Sequence, residues 1–98
     1  MTYKDAQKEL EALDAVFEAL NHPTRRQILM VMHFRGDAMT AGEIVERFSC
    51  RWPTVSRHFK VLQQAGLITV EKKGRERLYR LQKNNLNVAR YWFTSFDR

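Results

Sequence analysis

Residues 51–68, RWPTVSRHFKVLQQAGLI, place Arg51, Arg57, His58 and Lys60 within ten positions and then run through Gly66 into apolar sequence. At about 100° per residue, Val55, Phe59 and Leu62 fall on one side of a helix from roughly Trp52 to Ala65, with Val61 and Ala65 on its shoulder. Pro53, Ser56, Arg57, Lys60 and Gln64 fall on the other side. The first face seats the helix on a core, and the second offers hydrogen-bond donors to an anion. Pro53 suits a first helical turn, where the N–H it lacks has no partner, and Gly66 can take the positive φ that ends a helix.

Working upstream, Thr40-Ala41-Gly42-Glu43 has the spacing of a capping box, in which the threonine oxygen and the glutamate carboxylate satisfy the free amides of a helix start. The short helix it opens carries Ile44, Val45 and Phe48 inward and runs out at Ser49-Cys50-Arg51. Together with the helix beginning near Pro53 it has helix-turn-helix spacing. Two earlier helices precede it. Leu10, Leu13, Val16, Phe17 and Leu20 recur at helical period in the first, and Ile28, Leu29, Val31 and Met32 form the buried face of the second. Pro23 begins the second helix, with His22 or Asn21 as its cap, and the helix ends near Gly36.

Downstream of Gly66 the period changes. Leu67–Glu71 and Arg77–Leu81 read as two strands joined by the basic tip Lys72-Lys73-Gly74-Arg75-Glu76. A last helix after Asn84-Asn85 carries Leu86, Ala89, Trp92 or Phe93, and Phe96. The resulting order, α-α-α-α-β-β-α, is mainly helical with a small β-hairpin: a winged helix-turn-helix. One domain over residues 1–98 is expected, with terminal helices over about 5–20 and 84–97.

The charge distribution agrees with this reading. The chain has 98 residues and a formal charge of +6, with eight Lys and Arg against two Asp and Glu in residues 51–80 and six against eight in residues 1–50. Concentrating one sign in thirty residues is the footprint of a polyanion site, whereas a face kept for solubility mixes its signs. The lone Cys50 excludes an internal disulfide framework. MTYKDAQKEL lacks the apolar core of a secretory leader and no run reaches membrane-spanning length, so a cytoplasmic protein without a membrane partner is expected.

The stretches LNHPTRRQIL (20–29), TVSRHFKVLQQAGLI (54–68) and EKKGRERLYRL (71–81) closely resemble the ArsR family of transcription regulators. The most specific part is the run of Ser56, His58, Phe59, Lys60, Leu62, Ala65, Gly66 and Leu67. A helix presented in this way fits the major groove of double-stranded DNA, with its N-terminal residues at base edges. Those residues are Arg51, Trp52, Pro53, Thr54, Ser56 and Arg57. Arg57 can grip guanine through its planar fork, Ser56 and Thr54 can serve base or phosphate, and Lys60 meets phosphate. Trp52 and Pro53 can give only van der Waals contact or pack at the rim. Lys72, Lys73, Arg75 and Arg77 would lie along the flanking backbone, with Arg75 able to enter a minor groove and alternation putting Arg75 and Arg77 on one face. His58 flanks the buried side and reads as a structural histidine, with phosphate contact as its alternative. Arg25 and Arg26 read as braces of the fold, with phosphate contact as their alternative.

The resemblance implies a homodimer built from the first and last helices, pairing Leu10, Leu13 and Phe17 with Trp92, Phe93 and Phe96. It also implies repression. The family's metal-binding Cys-x-Cys and its carboxylate–histidine set on the last helix have no counterpart here, so neither a metal nor another cofactor is expected. Cys50 reads as a packing residue rather than a redox switch. The controlling signal is then an unidentified small-molecule effector, a regulatory protein, or nothing at all. No phosphate loop, paired carboxylates or activated nucleophile can be assembled, so an enzyme is not expected. The rival reading is a winged-helix module that binds protein or RNA, which would be expected to lose the cations of the fourth helix.

Overall fold

The computed structural model describes residues 2–48 and 51–98; Ser49 and Cys50, and the role expected of Cys50, lie outside the described residues. The first helix, α1 (Tyr3–Leu20), opens on a capping box that composition alone does not advertise: Thr2 Oγ1 accepts from the Asp5 amide at 3.1 Å and the Asp5 carboxylate accepts in return. α2 (Pro23–Phe34) starts from His22, whose Nδ1 accepts from the Thr24 N–H at 3.1 Å, which decides between the two candidate caps. Its end is a turn through Gly36 (φ 84°) and Asp37 (φ 71°), with the Asp37 N–H returning to the Met32 carbonyl at 2.8 Å. A short polar side chain makes that positive φ tolerable at Asp37.

This turn delivers the chain into a strand that the sequence reading lacks, β1 (Ala38–Thr40). Three residues are too few to show an alternation, and the strand exists only through its distant partner. α3 (Ala41–Arg47) follows from the Thr40–Glu43 capping box, with the Glu43 N–H to Thr40 Oγ1 at 3.2 Å and the Thr40 N–H to Glu43 Oε1 at 3.1 Å. α4 (Trp52–Gln64) has Pro53 in its first turn, and Gly66 beyond its end has φ 75°.

β2 (Ile68–Lys73) and β3 (Glu76–Leu81) form the wing, and β1 pairs with the other edge of β3 to give an antiparallel sheet of order β1-β3-β2. The strands run further toward the tip than expected. Lys72 pairs with Arg77 and Lys73 with Glu76, leaving a two-residue turn of Gly74 (φ 61°) and Arg75.

The last helix is also shorter than the expected 84–97. A 3₁₀ turn (Lys83–Leu86) precedes α5 (Asn87–Thr94). Asn85 spends its side chain on the Gly66 carbonyl at 2.6 Å, and the Thr94 and Ser95 hydroxyls both donate to the Tyr91 carbonyl at 3.0 and 2.8 Å. Side chains that compete for backbone acceptors in this way loosen a helix end.

The core joins every layer. Val16 and Ala19 of α1, Ile28 and Met32 of α2, Met39 of β1, Ile44 of α3, Val55, Phe59 and Leu62 of α4, Leu67, Ile68, Tyr79 and Ala89 are buried. The stripes read from the sequence for α2, α3 and α4 thus point inward, whereas Leu10 of α1 and Trp92, Phe93 and Phe96 of the last helical segment are exposed.

Candidate nucleic-acid interface

The apolar face of α4 is consumed by the core, which leaves its opposite face to solvent. Arg51, Pro53, Thr54, Arg57 and Lys60 are exposed and Ser56 is half-buried. Trp52 behaves differently. It is half-buried, with its ring 6.3 Å from Phe59 and 6.5 Å from Tyr79, and packs at the rim.

The same aromatic group sets the wing against α4. Tyr79 of β3 stacks on Phe59 of α4 with centroids 4.3 Å apart and planes 21° from parallel. Strand alternation then places Val70, Lys72 and Arg77 on the Tyr79 side of the wing, because Val70 pairs with Tyr79 and Lys72 with Arg77. A cleft opens between helix and wing, lined by Ser56, Phe59, Lys60, Gln63, Val70, Lys72, Arg77 and Tyr79. No carboxylate among the described residues lines it. Lys60, Lys72 and Arg77 therefore present positive charge to whatever enters, with no internal counter-ion.

The other face of the wing is partly neutralised. Glu71 accepts from Arg80 Nε at 2.8 Å and lies 3.9 Å from Lys73 Nζ; the Arg80 hydrogen bond holds its carboxyl below the usual range. Lys73 is thus separated from Lys72 by the pleat. Arg75 is exposed in the turn, so alternation does not place it on one face with Arg77. Gln63 joins the cleft although the sequence reading named Gln64 instead; the spacing Ser56, Lys60, Gln63 is the helical stripe that would have found it.

Behind the exposed face of α4 sits a polar brace. Arg25, 9% exposed, donates from Nε to the Ala19 carbonyl at 2.7 Å and from Nη2 to the Glu18 carbonyl at 3.0 Å. Arg26 donates to the Leu20 carbonyl at 2.7 Å. Both arginines thereby cap the last carbonyls of α1, where a cation is also favoured by the helix dipole. Arg25 Nη1 reaches His58 Nδ1 on α4 at 3.4 Å, and the His22 ring lies 4.4 Å from that of His58. Burial first, then the charges of His22, Arg25 and Arg57, hold His58 below the usual histidine range.

Along their shared length α1 and α5 carry an apolar surface. Leu10, Tyr91, Trp92, Phe93 and Phe96 are exposed, whereas Leu13 and Phe17 are half-buried. Phe17 meets Trp92 and Phe93 edge-on at 5.5 and 5.9 Å within the chain. Among the described residues no three His, Cys, Asp or Glu side chains converge as a metal site would need, and no helix is long and apolar enough to cross a membrane.

Comparison with known proteins finds that residues 20–71 match a helix-turn-helix domain family. The chain is 37% identical over 84 residues to the transcriptional repressor SdpR of Bacillus subtilis, covering 86% of this chain and 91% of that protein. It is 38% identical over 77 residues to the HTH-type transcriptional repressor SmtB of Mycobacterium tuberculosis, covering 79% of this chain and 56% of that longer protein. Among solved structures, an ArsR family transcriptional regulator superposes with a TM-score of 0.78 at 30% identity, covering 87% of this chain and 86% of the other.

Proposed function

Because the chain belongs to the ArsR family of winged helix-turn-helix transcriptional regulators, we propose that it works as a homodimeric, non-enzymatic repressor on a pseudo-palindromic DNA operator in the cytoplasm. The observation that carries this reading is the cleft between α4 and the wing, where Lys60, Lys72 and Arg77 converge without a carboxylate. Arg57 reads bases from the exposed start of α4, joined by Thr54 and Ser56. Arg51, Lys60, Lys72, Lys73, Arg75 and Arg77 hold phosphates. Pro53 contributes apolar contact, and Trp52 supports the helix from beneath.

The α1–α5 surface supports the dimer. Five large apolar side chains exposed along α1 and the last helical segment make an apolar surface of the kind that marks an interface. Leu10, Trp92, Phe93 and Phe96 meet the partner, while Leu13 and Phe17 form the layer underneath. Two recognition helices would then sit about one DNA turn apart, roughly 34–36 Å.

Selection of duplexes from a randomised pool tests this. The expected result is an enriched inverted repeat with half-sites one helical turn apart. A pool that passes through without enrichment would overturn the reading.

A further inference from the structure

Arg25 is the one charged side chain among the described residues that is buried, and it joins three elements. Its backbone belongs to α2, two of its nitrogens hold the Ala19 and Glu18 carbonyls of α1, and a third faces His58 Nδ1 of α4 at 3.4 Å. A guanidinium has no acceptor, so His58 must receive this contact on a lone pair, with its proton on Nε2. His22 is committed likewise, since its Nδ1 accepts from the Thr24 N–H.

The charged and titratable groups around His58 are His22 and Arg25 from α2 and Arg57 from α4 itself. From α1, Glu18 gives Arg25 its carbonyl, and no carboxylate among the described residues forms an ion pair with Arg25. Protonating His58 therefore removes the acceptor and sets a new cation among cations. Burial first, and then these charges, keep His58 below the usual histidine range.

We propose that Arg25 is a positioning residue for DNA recognition: acting through His58, it fixes the orientation of α4 against the end of α1. This rests on the DNA-binding reading of α4. Arg57 and His58 are neighbours on that helix, so a rotation that relieves one displaces the other. Cutting the link costs base contacts, whereas an added positive charge strengthens non-specific attraction to phosphate. The sensitive quantity is sequence discrimination rather than total affinity.

The test measures the affinity of the full chain for the enriched duplex divided by that for a scrambled duplex, at fixed salt, at about pH 7.5 and about pH 5.5. Wild type should lose this ratio as pH falls, by up to roughly tenfold where His58 is protonated, the scale of one hydrogen bond to a charged group. His58→Asn, whose amide oxygen can accept from Arg25 without titrating, should keep the ratio at both. His58→Leu should lose it at both while retaining its helical circular dichroism. A wild-type ratio independent of pH, a pH-dependent fall that survives in His58→Asn, or a folded His58→Leu that discriminates like wild type would each overturn the proposal. Should His58→Leu fail to fold, the His58→Asn profile decides. A wild-type chain that does not discriminate at about pH 7.5 would instead overturn the functional reading beneath it.

Discussion

Arg57 stands exposed on the solvent face of α4, so its removal should be felt at a base rather than in the fold. Arg57→Ala is predicted to cost about 1–3 kcal/mol on the enriched duplex and to relax the preference at one position, read by competition with single-base variants. Lys72→Ala should weaken all sequences alike and reduce the salt slope by about 1, as expected of one phosphate contact. Lys73→Ala should change the slope less, because Glu71 already lies 3.9 Å from its ammonium. The cations themselves are legible in the sequence, since their concentration in thirty residues needs only counting. Which of them share a face is not. That depends on where the hairpin turns, and the turn is Gly74-Arg75 rather than the five residues read as its tip.

The helices are legible for a related reason: each buries a stripe whose period lies within one stretch of chain. Phe59 of α4 combines that stripe with the stack on Tyr79, so Phe59→Ala should cost about 3–5 kcal/mol in urea unfolding and loosen the wing. Local capping is equally readable at Thr40-Ala41-Gly42-Glu43. Thr40→Ala is expected to cost about 1 kcal/mol by the same measurement. The backbone and side chain of Thr40 hold the Glu43 carboxyl below the usual range. A lowered carboxyl pKa stabilises the fold above the ordinary carboxylate pKa, and that contribution is lost as pH falls through the lowered value. Stability of wild type should accordingly decline in acid more than that of Thr40→Ala. β1 stays hidden from such reasoning because its three residues form a strand only by pairing with β3, about forty positions later.

The molecule carries a basic face on α4 and the wing and an apolar face on α1 and α5. Trp92 and Phe96 belong to the latter, with rings 5.0 Å apart. Trp92→Ala should shift sedimentation toward monomer and weaken binding to a full inverted repeat more than to a half-site; an unchanged dimer would place the interface elsewhere. The sequence shows the aromatic residues of this face but not the end of the helix that carries them, since Thr94 and Ser95 turn their hydroxyls back onto the Tyr91 carbonyl. The α4 face is predicted to read sequence while the surrounding cations grip phosphate. The most direct measurement is an anisotropy titration of the protein against the enriched and scrambled duplexes at low and moderate salt. Tight binding that separates the two and weakens steeply with salt is the predicted result. Equal and weak binding to both would contradict it.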